Sequence, residues 1–135
     1  MANEAIIVEL LGNAGDPVNY TVADGVTIAK GTVLELEDPK TCKLVSGAGV
    51  PIAGIAASEK VASDGATTLA VYTNCIVELT CSSGGTATLG SFVRSAGADN
   101  TITVSTTLDN ETGKSIGKAL ETGVNNEVIL VRVLL

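Results

Sequence analysis

Turn-forming residues punctuate this chain about every ten residues along its whole length, and that spacing narrows the available folds more than any other feature. Clusters fall at residues 12–17, 46–49, 82–85, 96–100, 110–113 and 123–126. Asp24-Gly25, Lys30-Gly31, Asp38-Pro39, Asp64-Gly65 and Thr73-Asn74 stand between them. The intervals are too short for βαβ units but suit the strands of a barrel or sandwich. Strands are expected at 6–11, 18–22, 25–28, 32–37, 42–45, 52–57, 67–72, 75–81, 91–94, 101–105, 116–120 and 127–135, and no segment carries a helical period. Composition agrees, since 41 of the 135 residues are Val, Ile or Thr, whose branched side chains suit a pleated sheet. The expectation is one all-β domain, a compact small barrel with little or no helix. Residues 1–14 form an arm or first strand, and residues 15–135 form the β-rich body.

Aromatic residues make up only 2% of the chain against 45% hydrophobic residues, so the core must be built from small aliphatic side chains. In 32–37, alternation puts Leu34 and Leu36 on a buried face and Glu35 and Glu37 on a solvated one. The closing segment differs: Ile129, Val131, Val133 and Leu135 share one face, while Val128, Leu130 and Leu134 flank Arg132 on the other. Both faces call for cover, from a central position in the sheet or from another subunit.

Histidine is absent, which removes the commonest general base and the commonest zinc and copper ligand. No catalytic residue, cofactor or metal ligand is therefore expected. Glu35 with Glu37 reads as a solvated strand face rather than an acid–base pair. Cys42, Cys75 and Cys81 lack metal-binding or redox spacing. Cys75 and Cys81, six residues apart in one strand, are too distant to pair and read as small core residues. The glycines of 85–91 lack the lysine and helix of a phosphate loop, and 46–51 is too short for a dinucleotide fingerprint, so both are turns. The net charge of −7, with eight basic residues scattered along the sequence, argues against nucleic-acid binding. No apolar run approaches the ~20 residues needed to cross a bilayer, and the opening residues do not resemble an export signal. No membrane partner is expected, and synthesis is expected in a cytoplasm. What remains is a protein that works by contact.

The order of its motifs is informative. Gly15-Asp16-Pro17-Val18-Asn19-Tyr20-Thr21-Val22 is followed by Ile28-Ala29-Lys30-Gly31-Thr32-Val33-Leu34-Glu35-Leu36, then by Pro51-Ile52-Ala53-Gly54-Ile55-Ala56-Ala57. Asp64-Gly65 leads into Ala70-Val71-Tyr72-Thr73, Leu89-Gly90-Ser91-Phe92-Val93 follows, and residues 116–123 and 128–133 close the series. Over residues 15–133 this resembles the small phage-type capsid cement, or decoration, proteins, departing at Cys75, where a glycine is more usual. The resemblance implies a β-tulip-like fold, assembly as a homotrimer, the major capsid protein as partner, and a place on the outer capsid surface of a virion.

Two sets of contact residues are expected. Ala2, Asn3, Glu4, Ala5, Ile6 and Ile7 would bind the capsid as an extended end, set off from the body by the turn at 12–17. Val128, Leu130, Arg132 and Leu134 would form the oligomer interface. The alternative is a secreted adhesin or pilus-type β subunit, which the mass of the native N-terminus distinguishes, because an export signal would have been cleaved.

Overall fold

A computed structural model describes residues 3–135. The strands are β1 (Ile6–Leu10), β2 (Val18–Thr21), β3 (Val33–Leu36), β4 (Cys42–Leu44), β5 (Ile52–Ala56), β6 (Thr68–Tyr72) and β7 (Asn74–Cys81). They continue with β8 (Thr86–Ala87), β9 (Phe92–Ser95), β10 (Thr101–Val104), β11 (Ser115–Ala119), β12 (Gly123–Val124) and β13 (Val128–Leu134), with one helical turn, α1 (Thr107–Glu111), before β11.

Strand β7 organises the first layer. It pairs antiparallel with β13 along seven registered residues, from Val128↔Thr80 to Leu134↔Asn74. Its other edge takes β1 antiparallel and, further along, β10 parallel. Since β10, β9, β11 and β13 pair in turn, β7-β10-β9-β11-β13 closes into a five-stranded barrel. A barrel of so few strands has a narrow interior, and the sequence supplies side chains of the right size. Cys75, Val77, Leu79, Cys81, Val93, Ile102, Ile116, Ile129, Val131 and Val133 are all at most 1% exposed. Their spacing of two along each strand is the alternation expected for β7 and β13.

The second layer is the sheet β2-β6-β5-β3-β4. A parallel bridge between Thr21 and Thr41, with the Thr21 amide donating to the Lys40 carbonyl at 2.9 Å, draws its two edges together. It encloses its own core of Val22, Ile28, Leu34, Cys42, Ala53, Ala56, Leu69 and Val71. Val33, Ile52 and Ile55, on the opposite faces of the same strands, join the core of the barrel. Strands β3 and β5 therefore lie between two cores.

That placement corrects the expectation for 32–37. Glu35 is buried and Leu36 is 38% exposed, because β3 is covered on both sides and its register against β5 slips between Leu34 and Glu35. The buried carboxylate accepts from the Ser46 amide at 2.9 Å and the Ser46 hydroxyl at 2.7 Å, with Lys43 Nζ at 3.8 Å.

Residues 25–28 form no strand; Ile28 makes a single bridge to Lys60. Strands β8 and β12 pair across two stretches read as turns. Helix α1 is set by a capping box, in which the Asp109 amide donates to Thr106 Oγ1 while the Asp109 carboxylate accepts from the Thr106 amide. A five-residue helix is too short to show a period, so only the Thr106-x-x-Asp109 spacing could have signalled it.

Candidate contact surface

The register of the barrel strands decides which side chains share its outer wall. One row runs Ile6–Glu78–Leu130, and Leu120 continues it by donating its amide to the Leu130 carbonyl at 2.8 Å. A second runs Glu9–Ile76–Arg132–Lys118–Phe92 across five strands. A bulge at Val8 separates Ile7 from Glu9 and turns Val8 out to solvent. The wall therefore mixes apolar and charged groups.

All four residues expected at an oligomer interface lie on this wall. Val128 and Leu134 are 55% and 53% exposed, while Leu130 and Arg132 are half-buried. Strand β13 is also a central barrel strand, so its inner face needs no other cover. Two grooves meet at its end. One, about 310 Å³, is lined by Phe92, Asn110, Gly113, Ser115, Gly117, Leu134 and Leu135. The other, about 240 Å³, is lined by Asp16, Thr73, Asn74, Arg132, Leu134 and Leu135. In the second, Arg132 Nη2 donates to Asn74 Oδ1 at 3.1 Å and Asn74 Nδ2 donates to Asp16 Oδ2 at 2.8 Å. The hydrogen bond from Asn74, with the Asn13 amide, holds the Asp16 carboxyl below its ordinary pKa. Loop 12–17 is thereby fastened to the β6–β7 turn.

Of the residues expected to bind a capsid, Ala2 lies outside the described residues. Asn3 and Ala5 are not part of a free end. The Asn3 carbonyl accepts from Asn100 Nδ2 at 2.6 Å, and the buried Ala5 donates its amide to the Gly31 carbonyl at 2.8 Å. Gly31 has φ +88°, and a Cβ there would lie 2.5 Å from the Ala5 carbonyl oxygen, so the close approach requires glycine. Ile7 packs on the barrel core. Glu4 is exposed and Ile6, at 62%, faces solvent. Asn3 and Ala5 are thus held against the body by hydrogen-bond partners that the sequence does not reveal.

One charged cluster escaped sequence reasoning. Lys60 is only 2% exposed. Its ammonium donates to the Asp24 carbonyl (2.9 Å), Asp24 Oδ1 (3.3 Å), the Val61 carbonyl (3.3 Å) and Asp64 Oδ1 (2.9 Å). Burial alone would lower the lysine's pKa, but its hydrogen bonds to Asp64 and Asp24, with their negative charges, outweigh it and leave it raised. The Lys60 hydrogen bond, helped by the Ala66 amide, pulls Asp64 down to about 2. An ammonium held by four oxygens is an anchor for the loops at 22–28 and 58–67; a nucleophilic lysine must be neutral. The two Asp-Gly pairs that flank it in sequence were legible only as turns.

A further ion pair, Arg94 Nη1 to Asp109 Oδ2 at 3.4 Å, ties α1 to β9. Cys42, Cys75 and Cys81 are buried free thiols, as the strand spacing predicts for Cys75 and Cys81. Burial raises the Cys75 thiol to about 11. Among the described residues no three His, Cys, Asp or Glu side chains gather closely enough to hold a metal ion.

No protein-family profile and no curated protein matches the sequence. Among solved structures, the fold is similar to that of the head fiber gp8.5 N base of bacteriophage phi29, with a TM-score of 0.53 over 87% of this chain and 93% of that one. Sequence identity is 12%, so the likeness is one of fold.

Proposed function

We propose that this chain is a non-enzymatic structural protein of a phage-type head, a decoration protein that sits on the outer capsid surface as a homotrimer and stabilises the shell. The observation that carries the reading is the fold-level likeness to a head fiber base over most of both chains. The order of the cement-like motifs in the sequence supports it independently. The outer wall is also suited to contact: its aliphatic groups are spread over several strands and its aromatic content is low. Attachment then draws on many modest contacts repeated by symmetry, because three weak sites held rigidly together outbind one. The partner is the major capsid protein, and the mechanism is mechanical reinforcement of joints between its subunits.

The test is electron microscopy of heads stripped of the protein and mixed with the purified chain. Density for trimers on the outer surface, together with slower thermal disruption of the decorated heads, is the expected result. Undecorated heads at saturating protein would overturn the reading.

A further inference from the structure

Three of the eight basic residues lie on barrel strands. Register places Lys118 opposite Arg132, on β11 and β13, while Arg94 on β9 is paired with Asp109. Strands β1 and β7 carry Glu9 and Glu78. Among the described residues none of Glu9, Glu78, Lys118 and Arg132 belongs to an ion pair within the chain. Each flank also has an aliphatic part, Ile6 and Ile76 beside the acids and Leu130 and Leu134 beside the bases. The two flanks meet along the β7–β13 seam.

We propose that the acidic β1–β7 flank of one copy docks on the basic β11–β13 flank of the next, head to tail. The inference rests on the homotrimer in the proposed function and names the surfaces that would make it. Charge complementarity selects a second copy as occupant, since each flank is the other's match in sign and both have exposed aliphatic groups. In the contact, the aliphatic groups supply affinity while the carboxylates and cations fix orientation and exclude wrong partners.

The experiment uses the full chain with Glu9→Lys, Lys118→Glu and the double substitution, studied by sedimentation equilibrium across micromolar concentrations. Both side chains are exposed, and melting curves confirm that each variant folds. The wild type is expected to be trimeric. Each single charge reversal should raise the dissociation constant by about tenfold or more, as like charges meet. The double variant, in which the charges are exchanged and complementary again, should return most of the loss. Single variants that assemble as the wild type does overturn the inference and leave the trimer reading intact. Loss without recovery in the double variant overturns the charge pairing. If Lys118→Glu leaves the trimer intact but abolishes attachment to heads, the basic flank belongs to the shell contact and the inference fails. A wild type that remains monomeric overturns the homotrimer as well, whereas the imaging of decorated heads tests shell binding separately.

Discussion

Asn100 Oδ1 accepts the Val33 amide proton at 2.7 Å, joining β3 to the residue that precedes β10 across 67 positions of sequence. The same side chain donates Nδ2 to the Asn3 carbonyl, so one buried amide holds both layers and the N-terminal residues together. Asn100 has φ +65°, which asparagine tolerates. Replacing it with glycine keeps the backbone relaxed but leaves the Val33 amide unpaired. Asn100→Gly should lower the unfolding free energy by about 1–3 kcal/mol. Asn100→Ala should lower it further by about 1 kcal/mol, because alanine is strained at that φ. Urea unfolding of both variants measures the difference.

Core and wall residues of equal size should behave oppositely. Ile102 is fully buried in the barrel and Ile6 is 62% exposed. Ile102→Ala should cost about 2–5 kcal/mol of stability, and Ile6→Ala should stay within about 0.5 kcal/mol. Equal losses in denaturant titrations would mean that β1 is not seated as described.

Gly117 tests the closure of the barrel. A Cβ there would sit 1.8 Å from the Arg132 carbonyl oxygen, which is backbone and cannot rotate away. Gly117→Ala must push β11 from β13 and should cost at least about 1–3 kcal/mol. Faster hydrogen exchange at Val131 and Val133 would locate the damage.

The Lys60 cluster has a defined acid limit. The folded pKa of Asp64, about 2, lies below the usual unfolded value of ~3.9. The carboxylate thus contributes stability in full above that unfolded value and loses it as the pH falls through about 2. Asp64→Asn should lower Tm near neutrality, and the gap to the wild type should close as the pH is brought down to about 2. A gap independent of pH would show that the charge on Asp64 is irrelevant.

The thiols report on opening. Burial raises Cys42, Cys75 and Cys81 above the ordinary thiol range, so the native protein should resist a thiol-reactive aromatic disulfide at neutral pH. All three should react at once with unfolding in guanidinium. Fast labelling of one thiol in native buffer would identify a layer that opens on its own.

How much was legible follows from where the information resides. Barrel strands β7 and β13 were read closely because alternation is a local pattern, and Cys75, Val77, Leu79 and Cys81 repeat it with one face buried. The β3 strand was misread because Leu34 and Glu35 are both buried, a consequence of two cores meeting that no single strand records. The sequence does not single out Lys60, because its oxygens arrive from Asp24, thirty-six residues earlier, as well as from Asp64. The positions of Val128, Leu130, Arg132 and Leu134 on the outer wall follow from alternation. Their neighbours Glu78, Ile76 and Lys118 follow only from strand register, which composition leaves open.

The longest ladder of the barrel joins residues 74–80 to residues 128–134, so the outer wall is not built up progressively as the chain is made. A chain interrupted before β13 has β7 without its main neighbour, no closed barrel and no row of Val128, Leu130, Arg132 and Leu134. The outer wall is therefore complete only once the last strand is in place.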